Sequence, residues 1–119
     1  MTKSKKAFEQ GGVLMSESIK TGSDRTDIKE KTIEKGLVKA VRAAGGICPK
    51  LVSPGTDGMP DRMVLMPEGR IGFVEVKAPG KKPRPLQIRR CGQLSRLGFP
   101  VFVLDGAEQI PKILEEVLR

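Results

Sequence analysis

The stretch that most constrains this chain is a pair of apolar segments, 62–66 and 70–77, divided by Pro67-Glu68-Gly69. Both segments are rich in Val, Ile, Leu and Met, and the Pro-x-Gly between them has turn chemistry. The pair reads as an antiparallel hairpin. Alternate side chains of a strand share a face. Along Phe73-Val74-Glu75-Val76-Lys77, Val74 and Val76 therefore turn toward a core while Glu75 and Lys77 point together to the other side. Folding the hairpin about its turn sets Asp61, at the start of the first strand, almost opposite Glu75. Two carboxylates then converge with an ammonium beside them.

The segments around the hairpin supply covering layers. Residues 28–44 carry Ile33, Leu37, Ala40, Val41 and Ala44 at helical spacing. Asp27 is placed to cap that helix, with Glu30 three positions on as in a capping box, and Gly45-Gly46 ends it. Glu34 lies beside the apolar stripe, on the side of Val38 and Val41, an odd place for a carboxylate meant only for solvent. Segment 47–52 is short and interrupted by Pro49, which suggests an edge strand. The turn-rich Ser53-Pro54-Gly55-Thr56-Asp57-Gly58 then delivers the chain to Pro60-Asp61.

Beyond a basic, proline-rich linker at 79–85, a helix is predicted over 86–97, with Leu86, Arg90, Leu94 and Leu97 along one side. Val101-Phe102-Val103-Leu104 is all apolar, as expected of a strand covered on both faces. Residues 107–118 read as an amphipathic helix with Ile110, Ile113, Leu114 and Val117 inward. The order α-β-β-β-α-β-α describes an α/β fold, a mixed sheet flanked by helices with one more helix at the C-terminus. Residues 1–26, polar and poor in large apolar side chains, are predicted to be a flexible tail. That leaves one domain over 27–119.

Composition narrows the chemistry open to such a domain. The 119 residues include no histidine, tryptophan or tyrosine. Without an imidazole, serine and cysteine triads, histidine-metal nucleases and most zinc sites are excluded. Catalysis must run on carboxylates, lysine or a metal held by oxygen ligands. Cys48 and Cys91 fit no redox or metal-ligand spacing and read as isolated, semi-buried thiols. No apolar run approaches a membrane span and no signal-peptide core is visible, which points to a soluble cytoplasmic protein.

Net charge is +8 at pH 7, and Lys77, Lys81, Lys82, Arg84, Arg89, Arg90 and Arg96 follow one another with no acidic residue between. Such a run suits a polyanionic backbone, to which Lys and Arg bring sequence-independent affinity. A solvated helix face is the bland alternative. Four phenylalanines are the only aromatics, so base stacking has little support. Phosphate contact to a duplex or junction fits better.

Two close carboxylates repel, a cost that is hard to justify structurally. A hard divalent cation such as Mg²⁺ turns the repulsion into a site, using oxygen ligands and several waters. It polarises a phosphoryl oxygen and lowers the pKa of bound water. Lys77 would then orient or activate the attacking water, or neutralise charge developing on phosphorus. Glu34 could reach the cluster as a further ligand or through a metal-bound water. A Glu-x-Lys on an exposed strand face is common and needs no chemical role. What singles this one out is Pro60-Asp61 one hairpin earlier and the basic run immediately after Lys77.

The ordered set Glu34, Pro60-Asp61, Glu75-Val76-Lys77 and Gln87 resembles the PD-(D/E)xK nuclease superfamily. The fuller wording Gly58-Met59-Pro60-Asp61-Arg62, then Phe73-Val74-Glu75-Val76-Lys77-Ala78-Pro79-Gly80, Leu86-Gln87 and Leu97-Gly98-Phe99-Pro100-Val101 resembles the VRR-NUC family within it, over about residues 28–105. The resemblance implies a restriction-endonuclease-like α-β-β-β-α-β core. It implies Asp61, Glu75 and the Val76 backbone carbonyl as ligands of Mg²⁺ or Mn²⁺, and Lys77 as the catalytic lysine. Gln87 would be a helix-borne residue beside the scissile phosphate, and Glu34 the first-helix glutamate.

The resemblance further implies a homodimer acting on branched DNA, four-way (Holliday) junctions included, in a bacteriophage or prophage setting. The dimer is also expected physically, because one chain holds one site whereas symmetric cleavage of two strands wants two, related by a two-fold axis. The leading expectation is a metal-dependent DNA endonuclease acting on branched DNA, with Lys81, Lys82, Arg84, Arg89 and Arg90 as nucleic-acid contacts. The alternatives are a duplex nuclease with little structural preference and a non-catalytic DNA-binding module whose carboxylates only organise the sheet.

Overall fold

A computed structural model describes the backbone over residues 23–119 and side chains from Lys29 onward. The expected tail therefore lies outside the described residues as far as position 22. Helix α1 (Ser23–Ala43) begins ahead of the expected cap, so that Asp27 falls inside it rather than at its start. Its far end is as predicted: Gly45, with φ 92°, takes the left-handed conformation that closes a helix. The stripe of Ile33, Leu37 and Val41 is buried, with Ala40 and Ala44 packed beside it.

The sheet has the order β1-β2-β3, formed by β1 (Arg62–Met66), β2 (Arg70–Val76) and β3 (Val101–Leu104). Strands β1 and β2 are antiparallel, Arg62 opposite Val74 and Met66 opposite Arg70. Between them Pro67–Gly69 forms a short 3-10 turn in which Glu68 (φ 67°) and Gly69 (φ 74°) are both left-handed. Strand β3 lies parallel to β2, Phe73 beside Val101 and Val76 beside Leu104. A parallel pair needs a long crossover, and α2 (Pro85–Arg96) supplies it. A 3-10 turn at Ala107–Gln109 leads into α3 (Ile110–Leu118).

The strand expected at 47–52 is reduced to two isolated antiparallel bridges, Ile47 with Leu65 and Lys50 with Arg62. Backbone bonds along this edge still keep one register. Ile47 and Leu65 exchange two of 2.9 Å, Met63 N–H donates to the Pro49 carbonyl at 3.0 Å, and Leu51 N–H donates to the Asp61 carbonyl at 2.9 Å. Pro49 has no N–H to return, so the ladder is interrupted where the sequence placed the proline.

Helices cover the sheet on both faces. Val64, Met66, Val74, Val76, Phe102 and Leu104 pack against Ile33, Leu37 and Val41 of α1 and Ile110, Ile113 and Val117 of α3. Phe73 and Val101 on the opposite face meet Cys91 and Leu94 of α2, and Phe73 meets Phe99 edge-on with ring centroids 5.4 Å apart. Full burial of a side chain such as Leu37 or Leu104 contributes about 1.5–3 kcal/mol. No described helix is long and apolar enough to cross a membrane.

Helix α2 corrects one expectation. Its inward residues are Gln87, Cys91, Leu94 and Ser95, whereas Leu86 and Leu97, expected inward, are 40% and 67% exposed. Arg90 sits on the outer side, where its Nε donates to the Asp57 carbonyl at 3.1 Å and its Nη1 to Gln93 at 2.7 Å. The helix is rotated about its axis because a polar contact, from Gln87 to the sheet, fixes its first turn.

Candidate active site

The approach to Asp61 is held firmly. Pro60 is fully buried, and Gly58 has φ +84° with its Cα pressed on the start of α2, where an added Cβ would lie 2.8 Å from the Leu86 carbonyl oxygen. Only glycine meets both conditions there. Asp61 follows at the position opposite Glu75, one step beyond the Arg62–Val74 pair. Its Oδ1 accepts from the Val76 N–H at 3.1 Å. The hairpin count made from the sequence thus holds in the structure.

Glu75 is 4% exposed. Its Oε2 accepts from Gln87 Nε2 at 2.7 Å and lies 3.2 Å from Lys77 Nζ. Its Oε1 is buried with no hydrogen-bond partner among the described residues. Gln87 is fixed at its other end too, its Oε1 accepting from the Arg84 N–H at 3.0 Å, which caps α2. A buried acceptor left unpaired costs about 1–3 kcal/mol, more for a charged group. The fold therefore tolerates at Glu75 Oε1 a cost that a ligand would remove.

The electrostatics of Asp61 point the same way. Burial, first, and then the Glu75 carboxylate push its carboxyl up from 3.8 to about 7; the Val76 N–H opposes this, and Glu34 and Glu30 add smaller increments upward. In the absence of a counter-cation the pair resists holding two negative charges. An orphaned carboxylate oxygen beside a carboxyl reluctant to ionise is a donor set that fits a hard cation. Mg²⁺ is commonly held by one or two carboxylates and completes its shell with waters. Among the described residues no group of three or more His, Cys, Asp or Glu encloses an ion by itself, so waters and the Val76 carbonyl would supply the remaining positions.

The other expected residues fall in three places. Glu34 is near enough to act on Asp61, yet its Oε2 is engaged by Arg62 Nε at 2.8 Å. Arg62, which sequence reading quoted only as part of a motif, also donates from Nη1 to the Cys48 carbonyl at 2.7 Å. It joins the first helix, the edge segment and the sheet. Lys81, Lys82, Arg84 and Arg89 are exposed, free to meet a polyanion, whereas Arg90 spends its guanidinium on the 53–58 loop and on Gln93. Both cysteines are free and buried, and burial raises Cys48 to about 11 and Cys91 to about 12, so neither is a nucleophile.

Sequence reading missed Asp105, a buried residue just past β3. Burial raises its pKa, and Gln109 holds it, with Nε2 donating to Oδ1 at 2.8 Å and Oε1 accepting from the Asp105 N–H at 3.1 Å. This is a clamp on the turn into α3. Asp and Gln four apart across a turn was the signal available for it.

Comparison with known proteins shows the family and the fold. The VRR-NUC domain model matches residues 7–108. The phage protein p44 of Acyrthosiphon pisum secondary endosymbiont phage 1, provisionally named a nuclease, is 54% identical over 81 residues, 68% of this chain and 87% of that protein. A solved VRR-NUC domain has a TM-score of 0.68 and 36% identity, covering 73% of this chain and 95% of its own.

Proposed function

This chain belongs to the VRR-NUC domain family, and on that premise we propose that it hydrolyses phosphodiester bonds of DNA at a divalent-cation centre built on Asp61 and Glu75. The observation that carries the reading is the Glu75 side chain, buried, opposite Asp61, with one oxygen unpartnered and the other held by Lys77 and Gln87. Asp61, Glu75 and the Val76 carbonyl would hold the ion, Mg²⁺ or Mn²⁺. When bound, it polarises a phosphoryl oxygen and lowers the pKa of bound water.

The protein's own groups have separable tasks. Lys77, only partly exposed and within 3.2 Å of Glu75, holds a positive charge beside the scissile phosphate, where it orients the attacking water or offsets charge developing on phosphorus. Gln87 positions Glu75 and anchors α2 at once. Glu34, presented by α1 beside Arg62, acts from farther out, through a water. Lys81, Lys82, Arg84 and Arg89 contact the DNA backbone from the linker and α2, with Arg90 in a smaller part.

The substrate we propose is branched DNA, four-way junctions included, cut by a homodimer in the cytoplasm of a bacterial or phage-infected cell. Support comes from the family resemblance and from symmetry, since paired cuts require two sites and each chain has one. Asp61→Ala and Lys77→Ala should abolish cleavage with Mg²⁺ or Mn²⁺ while DNA binding largely survives. Undiminished cleavage by either variant sinks the assignment, and a wild-type chain that binds but never cuts is a binding module. Junction, fork, linear duplex and single strand are then compared at fixed salt. Equal rates on all four would make this a nuclease without structural preference.

A further inference from the structure

A second basic surface lies on the α1 side of the sheet, away from the run at 81–90. It is a groove of about 810 Å³ between α1 and the edge segment 47–50, with Lys31, Lys35, Lys39, Arg42, Lys50 and Arg62 in its lining. Among the described residues Glu34 is the single carboxylate there, and Arg62 already engages it at 2.8 Å. Lys31, Lys35, Lys39, Arg42 and Lys50 are exposed, and among the described residues none of them pairs with a carboxylate.

Residues three and four apart are neighbours on a helix surface, and like charges so placed destabilise it by about 0.2–0.5 kcal/mol per pair. Lys31, Lys35, Lys39 and Arg42 form such a ridge along α1. The ridge spans about 16 Å at 1.5 Å per residue, a length in which one DNA strand places about five phosphates. Lys50 faces the ridge across the groove. Arg62 lies at the end nearest the carboxylates, as the chain neighbour of Asp61, and Glu34 in the same wall acts on Asp61 electrostatically.

We propose that this groove seats the sugar–phosphate backbone of a DNA strand running to or from the Asp61–Glu75 centre. The proposal rests on the nuclease reading above and deepens it by giving the substrate a second contact surface. The basic run at 81–90 lies beside α2 on the other face of the sheet, so the two surfaces meet DNA on either side of the centre. The contact is with phosphate, hence independent of base sequence and strongly salt-dependent.

The test is the salt dependence of binding. The full chain and Lys31→Ala/Lys35→Ala/Lys39→Ala/Lys50→Ala are titrated with fluorescent duplex and junction DNA in chelator, by anisotropy, over a series of NaCl concentrations. Each lost phosphate contact lowers the slope of log K against log salt by about 0.9. The quadruple variant should lose about 3.6 units of slope and tenfold or more in affinity, and Lys35→Ala/Lys39→Ala about half that slope, a check should the quadruple variant fold poorly. Lys112→Ala, at an exposed lysine of α3, is the control for losing a lysine outside the groove.

A slope equal to that of the control overturns the groove. So does a change of oligomeric state in sedimentation with the slope intact, which would make the groove a contact between copies of the chain. Because binding is read without metal, a wild-type chain that cannot cut DNA would remove the nuclease reading and leave the groove to be judged on its slope.

Discussion

Replacing Asp61 by Asn should make the metal-free protein more stable while destroying its proposed activity. The folded carboxyl titrates at about 7 and the unfolded one at 3.8, because burial and then Glu75 disfavour the charge. Between those values the folded state binds the extra proton, so stability falls as pH rises through that window. Below about 4 both states are protonated and the cost is absent; above about 7 it is fully present. Three units at 1.36 kcal/mol each give about 4 kcal/mol.

Part of that is screened, since Asp61 keeps some contact with solvent, and Asn retains an oxygen to accept from the Val76 N–H. A gain of about 2–4 kcal/mol at pH 8 is the expectation, which raises Tm by roughly 10 °C or more in a domain this small. Urea or thermal unfolding in chelator at pH 8 and pH 5 checks it, with the gap between variant and wild type narrowing at the lower pH. Mg²⁺ should then raise the wild-type Tm at pH 8 and leave Asp61→Asn unmoved. An Asn variant no more stable than wild type at pH 8, or a gap that ignores pH, refutes the reasoning.

Gln87→Leu removes the donor to Glu75 Oε2 and the acceptor that caps α2, for a stability loss of about 1–3 kcal/mol. Because Glu75 loses its alignment, kcat should fall with little change in KM; an unchanged kcat would show that Lys77 alone holds Glu75 in place. Gly58→Ala meets both a left-handed φ and the Leu86 carbonyl, whereas Gly55→Ala meets only the φ, with nothing within 4 Å. The first should cost at least about 1–3 kcal/mol and clearly more than the second in urea unfolding, and equal costs would mean that the 53–58 loop yields without disturbing Asp61.

What the sequence made legible has a physical pattern. The hairpin was readable because strand periodicity, a turn tripeptide and a count from its centre all give the same register, and Asp61 opposite Glu75 followed from that count alone. Helix α1 was placed by its apolar stripe, but its start was not, since residues ahead of Asp27 are polar and helical without an apolar signal. Pro49 told correctly of an edge, though not that the ladder would shrink to two bridges.

Helix α2 was rotated wrongly because apolar periodicity assumes that the greasiest side turns inward. Here a buried amide bonding a buried carboxylate sets the rotation instead, and leaves Leu86 and Leu97 outside. Charge was read only in part for a related reason. The run at 77–96 is conspicuous because its cations are consecutive, whereas the α1 groove gathers Lys31, Lys35 and Lys39 with Lys50 and Arg62 from other elements, interleaved in the chain with acids such as Glu30 and Glu34. Linear charge counting averages those away. In the fold Glu34 is taken up by Arg62 within that groove, and the lysines are left exposed. The residues that resist sequence reading are therefore those whose partners arrive from another element, and at this site those partners, Gln87 to Glu75 and Arg62 to Glu34, are what hold the carboxylates in place.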